Sequence, residues 1–430
     1  MLDISFIRDN AEAVKQNCAH RGRTIDLDAL LALDETRRSR QKELDELRAE
    51  RNSKSKGKPS DEDIKNMRAL SERIKKMEEV QRATEEHLTA LLQTVPNMTH
   101  PEVPVGKDEA ENKVLREIGK KPAFSFEPKE HWELGTALGV LEFEKAAEVS
   151  GARFAYLKGD LALLEFALIH FVLSVATSKK ELKKIIKKEG LDVAPRPFVP
   201  VIPPAMMRPE VMQKMGRLEP RDERYHIPSD DLYLIGSAEH TLGPLHMNET
   251  LKKEDLPIRY IGFSTAFRRE AGSYGKDTKG IFRVHQFDKL EFESFTSPEN
   301  GEKEQDLLVA LQEHFMQKLG IPYRVVFKCT GDMGDPDYRE FDIEAWLPGQ
   351  GKYRETHTAD YMTNYQARRL NIKIARENGE KTFAHMNDAT AIAVQRTLIA
   401  IMENYQEADG RIRVPRALQP YTGKKYIEKR

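Results

Sequence analysis

Between Leu27 and Val95 two long, charged, glycine-poor stretches return an apolar residue at every third or fourth position. That spacing leaves such a chain little choice but a pair of long helices. It predicts helices over Leu27–Asn52 and Asp61–Val95, parted by Ser53-Lys-Ser-Lys-Gly-Lys-Pro-Ser60, which holds a turn and an amino-terminal cap at Ser60. The second helix carries a heptad register at Met67, Leu70, Ile74, Met77, Gln81, Thr84, Leu88, Leu91 and Val95, and the first supplies Leu30, Leu33, Leu44 and Leu47. An antiparallel two-helix coiled coil follows, with a polar gap where Arg37 and Arg40 meet Gln81 and Thr84. At 1.5 Å per residue the helices run roughly 39 and 52 Å, so the arm projects beyond a globular body.

Projection needs a purpose, and the charge pattern offers one. From Arg37 to Lys58 nine basic residues stand against four acidic ones, although a charge run is most often only a solvated face. A projecting, locally basic hairpin is also what binding to a phosphate backbone requires. Arg37, Arg38, Arg48, Arg51, Lys54, Lys56 and Lys58 are the candidate contacts.

The helical composition stops at Val95-Pro-Asn-Met-Thr-His-Pro-Glu-Val-Pro-Val-Gly106, a proline-rich linker that spans about 95–110 and separates a domain 1–100 from a domain 101–430. Beyond it, short β-type runs alternate with helices. Strand signals sit at Leu232–Ile235, Val325–Lys328 and Phe341–Leu347, and helix signals at Leu161–Lys188, Lys303–Leu319 and Ala389–Met402. An α+β domain, an antiparallel sheet flanked by helices, is the economical reading.

Bulk properties exclude several classes. Lys plus Arg total 69 against 70 Asp plus Glu, so a nucleic-acid partner is met by a local patch and not by overall charge. The first residues lack the basic and apolar regions of a signal peptide, and no apolar run reaches the length of a membrane span, so a cytoplasmic protein without membrane contact is expected. Two distant cysteines, Cys18 and Cys329, build neither a disulfide framework nor a cysteine-rich zinc site.

Chemistry concentrates between Phe267 and Phe292. Alternation puts Phe282, Val284, Leu290 and Phe292 on one face of a strand and Arg283, His285, Phe287, Lys289 and Glu291 on the other. Arg268 and Glu270 share a face of the preceding strand, and pairing across the loop Ala271–Gly280 sets them beside Arg283. Guanidinium forks bind phosphate oxygens, an aromatic face stacks a base, and carboxylates hold a metal or an ammonium group. Arg283, Phe287 and Glu291 form three stations spread over roughly 26 Å, a span that suits an adenylated small molecule.

This segment resembles motif 2 of the class II aminoacyl-tRNA synthetases, and from the amino-terminal arm to Glu403-Asn-Tyr-Gln406 the chain is similar to the seryl-tRNA synthetase family. The resemblance implies a homodimeric ligase that activates L-serine with ATP and Mg2+ and charges tRNA(Ser), with tRNA(Sec) as a further acceptor; no zinc is implied. Val201-Ile-Pro-Pro-Ala-Met-Met207 looks like motif 1, which in the family forms the dimer interface, and the arm clasps the long variable arm of the tRNA.

Residue by residue, the resemblance makes Arg268, Glu355 and Arg396 catalytic. Arg396 corresponds to the motif 3 arginine on the γ-phosphate, and Glu355 to the glutamate that meets ATP and magnesium. The nucleotide contacts are Arg268, Arg269, Glu270, Arg283, Val284, Phe287, Glu355, Thr356, His357, Thr358 and Arg396. The serine contacts are Ser237, Ala238, Glu239, Arg268, Glu291, Asp388 and Thr390. Taken alone, Arg396 on an otherwise apolar helix asks only for a carboxylate partner, Glu403 or one from the sheet.

Two departures bear on the amino acid. Thr356–Tyr361 replaces a run usually rich in Ser, Cys and Asn, and Asp388 stands where an Asn is usual, adding charge beside Glu239 and Glu291. The rival readings are an inactive paralogue that binds RNA or regulates, and an adenylating ligase with an acceptor other than tRNA.

Overall fold

The computed structural model describes residues 1–54, 60–271, 277, 279–376 and 379–429. Lys56, Lys58 and most of the loop Ala271–Gly280 lie outside them. The chain divides into two units, Met1–Met98 and Thr99–Arg430.

The first unit consists of α1 (Ile4–Asp9), α2 (Ala11–His20), α3 (Leu27–Lys54) and α4 (Asp61–Thr94). Ser60 starts α4 through a capping box: its hydroxyl accepts the Asp63 N–H at 3.2 Å, and the Asp63 carboxylate accepts the Ser60 N–H at 3.0 Å. Leu44, Leu47 and Ile74 are buried in the seam of the coiled coil. The polar gap closes by direct pairing, with Arg40 donating to Thr84 Oγ1 at 2.7 Å and Gln81 to the Arg37 carbonyl at 3.3 Å. Asp34, wholly buried, draws in Arg8 and Arg37 at 2.7 and 2.8 Å, because a carboxylate removed from water needs cations against it. Arg37 is thereby committed inside the arm.

The second unit is built on an eight-stranded sheet: β1 (Lys113–Ile118), β2 (Val199–Val201), β3 (Ile258–Phe267), β4 (Gln286–Thr296), β5 (Tyr323–Phe327), β6 (Arg339–Leu347), β7 (Lys352–Tyr361) and β8 (His385–Ala393). Its order is β1-β5-β6-β7-β8-β4-β3-β2, antiparallel except at the β2 edge. Together with the long arm helices this is the expected α+β architecture. α7 (Gly301–Leu319) packs on β7 and β8, and α8 (Val394–Asn404) on β6 and β4. Phe171, Phe198, Phe292 and Phe315 belong to the main core.

Three expected elements differ. The helix expected from Leu161 to Lys188 is two, α5 (Asp160–Ala176) and α6 (Lys179–Glu189), bent by 74°. Ser178 makes the break, since its hydroxyl accepts the Glu181 N–H and caps the second helix. The core helix expected over Ala389–Met402 starts only at Val394, because the β-branched and small residues before it are taken by β8. In the hairpin, β3 ends at Phe267 and β4 begins at Gln286, so Arg268, Glu270 and Phe282 to His285 lie in bends beyond the strands. Among the described residues no single helix is long and apolar enough to cross a membrane.

One feature of the sheet sets up the site. β7 and β8 pair at only three positions, Ala359 with Ala389, Asp360 with Asp388 and Tyr361 with Asn387, and then part. Parting strands leave carbonyls without partners, and buried carbonyls must find some. The Gln312 side-chain amide, on α7, supplies them, donating to the Thr358 and Thr390 carbonyls at 2.8 and 2.9 Å. Gln305 does the same for Arg339 and Ala359 at 2.7 and 2.8 Å.

Gln312→Ala should cost about 2–4 kcal/mol, the loss of two bonds whose acceptors stay buried. Urea denaturation followed by circular dichroism checks this; a change below about 0.5 kcal/mol would mean that the parting of the strands needs no such support.

Candidate active site

A cavity lies where the strands part. Its wall takes Glu355, Thr356 and Thr358 from β7, Thr390 and Ala393 from β8, Phe287 and Lys289 from β4, and Gln395 and Arg396 from the first turn of α8. Arg268, Glu270 and residues 281–284 complete it. A second, more open hollow shares Phe282, Arg283, Glu355 and Arg396 with the first.

Two bulges aim these side chains. Register slips at Glu291, where Ala391 of β8 is the extra residue, and at Thr356 of β7, so the strict alternation assumed from sequence fails beside the cavity. The glutamate before the slip and the threonines at and after it, Glu355, Thr356 and Thr358, all reach the cavity wall.

At one end stand the guanidiniums. Arg268 leaves the end of β3 with its N–H bonded to the His285 carbonyl at 3.0 Å and its Nε to the Gly236 carbonyl at 3.1 Å. Its guanidinium centre lies 5.4 Å from the Phe287 ring. Arg396 approaches from the opposite side, 2.8 Å from Glu355 Oε1 and 4.6 Å from the centre of the Phe282 ring. The partner of Arg396 is therefore Glu355 on β7 and not Glu403, whose carboxylate instead faces His131 and the Gly349 N–H. Arg283 pairs with Glu270 at 2.5 Å, and Glu270 adopts a left-handed φ of 54° to reach it. The Glu355 carboxyl loses some hydration in the cleft, yet Arg396, Lys328, Lys289 and Arg268 outweigh that and hold it at about 2. Its side chain keeps 47% exposure, so the penalty of burial there is modest.

A second group of predicted residues is close by but not on the cavity wall. Ser237, Ala238, Glu239, Glu291 and Asp388 are all buried. They form a polar network in which Ser237 donates to Glu291 Oε1 at 2.8 Å, Lys289 forms an ion pair with Glu291, and Arg217 lies 2.8 Å from Glu239 and 3.4 Å from Asp388. Thr390 stands opposite Glu291 across β8 and β4 and joins this network to the cavity. Burial raises the Glu239 carboxyl, but Arg217, His240, Lys289 and Arg268 bring it down to about 2. Glu291 goes the other way, raised by burial and by Glu239 against the pull of Lys289.

Two nucleotide contacts expected from sequence do not reach the cavity. Arg269 is exposed, with its N–H bonded to the Glu223 carbonyl. His357 is wholly buried, with Nδ1 2.8 Å from Thr356 Oγ1, and burial lowers it to about 3, so its ring is neutral. Thr356 and Thr358 face the cavity, so ordinary alternation turns His357, which lies between them, to the other side of β7.

Sequence reasoning missed Lys289, Gln395 and Arg217 as site residues. Lys289 had a signal, lying two positions before Glu291 on the same strand. Arg217 had none, because it lies in a loop after the helix Pro209–Met215. The oxygens of Asp337, Glu340 and Asp360 come within 4.8 Å of one another, but Lys328 already sits 2.8 Å from Glu340.

On the arm, Arg38 pairs with Asp34 and Glu35, Arg48 lies 2.7 Å from Glu78, and Lys54 2.6 Å from Glu50. Apart from the pair to the wholly buried Asp34 these are exposed pairs, which are worth little.

Comparison with known proteins follows this geometry. Residues 224–405 match the tRNA synthetase class II core domain (G, H, P, S and T), and residues 1–99 match the seryl-tRNA synthetase N-terminal domain. A serine–tRNA ligase of Rubrobacter xylanophilus is 40% identical over 99% of both chains. The crystal structure of seryl-tRNA synthetase from Pyrococcus horikoshii complexed with ATP superimposes with a TM-score of 0.89 at 39% identity, covering 100% of both chains. That of cytoplasmic serine–tRNA ligase from Naegleria fowleri in complex with AMP gives 0.86 at 33%, covering 100% of this chain and 99% of that one.

The depressed Glu239 gives a pH prediction with a definite sign. A carboxyl lowered on folding contributes stability that is complete above its ordinary value near 4.5 and is lost as pH falls towards 2. Unfolding free energy of the wild type should therefore fall more steeply between pH 4.5 and 2 than that of Glu239→Gln. Equal slopes would contradict the charge balance described here.

Proposed function

The chain belongs to the seryl-tRNA synthetase family of class II aminoacyl-tRNA synthetases, and on that premise we propose that its cavity joins L-serine to ATP and delivers the seryl group to tRNA(Ser). The observation that carries this is the convergence of Arg268 and Arg396, distant in sequence, on one cavity that Phe287 also lines.

Arg268 and Arg396 take the α- and γ-phosphate ends of ATP, Phe287 stacks the adenine, and Arg283 and Glu270 border the nucleotide. The serine ammonium group meets Glu239 and Glu291, its carboxylate meets Arg268, and Thr390 bonds its hydroxyl. A carboxylate oxygen of serine attacks the α-phosphorus in line. The bond to the β-phosphate oxygen breaks and pyrophosphate leaves, while the two guanidiniums offset the charge that gathers on the phosphates. A terminal ribose hydroxyl of the tRNA then attacks the seryl carbonyl, and AMP departs. No side chain acts as a nucleophile, so catalysis rests on position and charge.

The donor set fits magnesium. Arg396 occupies Glu355 Oε1, leaving Oε2 and the Thr358 hydroxyl as hard oxygen ligands at the phosphate end. Such an ion keeps most of its waters and takes one or two carboxylates with substrate phosphates. Bound with ATP, it supplies charge neutralisation of the leaving pyrophosphate.

Outside the cavity, Val199, Ile202 and Met206 expose 54, 87 and 47% of their surface along and beyond the edge strand β2, which supports a homodimer through this segment. Arg38, Arg48, Arg51 and Lys54 on the arm present cations to the tRNA, with tRNA(Sec) as a second acceptor. The work is placed in the cytoplasm. An inactive paralogue is disfavoured because Arg268, Glu355 and Arg396 are retained and meet at one cavity.

Amino-acid-dependent ATP–pyrophosphate exchange across serine, threonine, alanine and glycine tests the assignment. Serine should be preferred, with alanine rejected by roughly 10⁴-fold because the polar groups built for the hydroxyl are left unpaired. Arg268→Ala should lower the exchange rate by about 10³-fold or more. Deleting residues 30–92 should spare exchange and abolish tRNA charging. No exchange by the wild type, or preference for another amino acid, would refute the reading.

A further inference from the structure

Arg217 is fixed before it reaches the site. Gly216, in the left-handed region at φ 75°, ends the helix Pro209–Met215. The Arg217 N–H donates to the Met212 carbonyl at 3.1 Å, and its own carbonyl accepts Arg224 Nε at 2.9 Å. With its main chain pinned at both ends, the side chain runs between two carboxylates from different elements: Nε lies 2.8 Å from Glu239 Oε1, and Nη2 lies 3.4 Å from Asp388 Oδ2. The Nε–H does not point along the shorter contact, so this is a charge contact more than an aligned hydrogen bond.

The sheet register explains why a cation is needed at that spot. Glu293 of β4 stands opposite Asp388 of β8, Asp388 opposite Asp360 of β7, and Asp360 opposite Glu340 of β6. Four acids therefore lie in one line across four neighbouring strands, all buried. Like charges directly opposite one another repel, and buried ones repel strongly. Lys328 meets this line at Glu340 and Arg217 meets it at Asp388. Glu239, assigned above to the serine ammonium group, lies on the far side of Arg217.

We propose that Arg217 is a positioning and specificity residue of the amino-acid subsite: it holds the Glu239 carboxylate ionised and aimed at the substrate ammonium group, and it offsets the charge of Asp388. The inference rests on the serine-activating reading of the cavity. It sets one guanidinium against both Glu239 and Asp388, so that the acid found where an Asn is usual does not stand beside Glu239 without a cation between them. The groups facing Glu239 are Arg217, His240, Lys289, Arg268 and Arg224 among the bases and Asp388, Glu291 and Glu293 among the acids; those facing Asp388 are Glu239, Arg217, Asp337, Asp360 and Glu293.

Serine-dependent ATP–pyrophosphate exchange by the full chain, with Arg217→Gln, Arg217→Lys, Asp388→Asn and the double variant Arg217→Gln/Asp388→Asn, tests it. Arg217→Gln should raise the KM for serine tenfold or more while the KM for ATP stays within twofold. Without the guanidinium, Glu239 and Asp388 compete for one proton, so serine affinity in this variant should climb with pH between 6 and 8, where the wild type is flat. Arg217→Lys should retain most of the affinity, and adding Asp388→Asn to Arg217→Gln should recover at least half of the loss on a logarithmic scale. An unchanged serine KM in Arg217→Gln, or equal increases in both KM values with a lowered melting temperature, overturns the proposal. So does failure of the double variant to recover. A wild type that shows no serine-dependent exchange overturns the reading of the cavity as well, whereas an active wild type matched by Arg217→Gln removes this inference alone.

Discussion

Backbone hydrogen bonding decides where this molecule has a cavity. A continuous sheet satisfies its own carbonyls and has no room between strands, so an opening requires partners from elsewhere. Here the partner is one side-chain amide. Gln312 on α7 reaches the carbonyls of Thr358 and Thr390, the first positions beyond the last paired residues of β7 and β8. Past that point Glu355, Thr356 and Thr358 of one strand and Thr390 and Ala393 of the other line a shared cavity. The two register slips beside it then choose which side chains look inward.

Charge is the second constraint, and it follows from the first. The sheet carries Glu291, Glu293, Asp388, Asp360 and Glu340 out of water, the short helix Glu239–Leu242 does the same for Glu239, and buried carboxylates need cations nearby to stay ionised. The cations come from loops and from the first turn of α8: Arg217, Arg268 and Arg396, with Lys289 and Lys328 from the strands and their ends. Each has a defined neighbour. This arrangement keeps Glu239 and Glu355 low while it lets Glu291, Asp360 and Asp388 rise, so acids of one type serve different ends within a short distance.

Much of this was legible beforehand. The heptads of the arm, the cap at Ser60 and the pairing of Arg40 with Thr84 follow from local periodicity, which depends only on neighbours along the helix. Arg268, Glu270, Arg283 and Phe287 reach the cavity from a hairpin whose alternation is readable, whereas Glu355, Thr356, Thr358, Thr390 and Arg396 were named by the family resemblance, since no strand signal covers Lys352–Tyr361 and Thr390 falls in a stretch that reads as helix. What failed depended on single-residue events. A bulge at Thr356 broke the alternation of β7, so that Glu355 and Thr356 both face the cavity, and Ser178 divided one helix into two. Arg217 was invisible because a loop residue has no period, and only the tertiary fold brings it within contact of Glu239 and Asp388.

The account stands on two guanidiniums serving one adenylate. Its most direct test is a crystal structure with a non-hydrolysable seryl-adenylate analogue, in which a sulfamoyl group replaces the phosphate. The adenine should lie against Phe287, the sulfamoyl oxygens within hydrogen-bond distance of Arg268, and the serine ammonium group against Glu239 and Glu291. An analogue held elsewhere, or one whose serine end turns away from those two carboxylates, would contradict it.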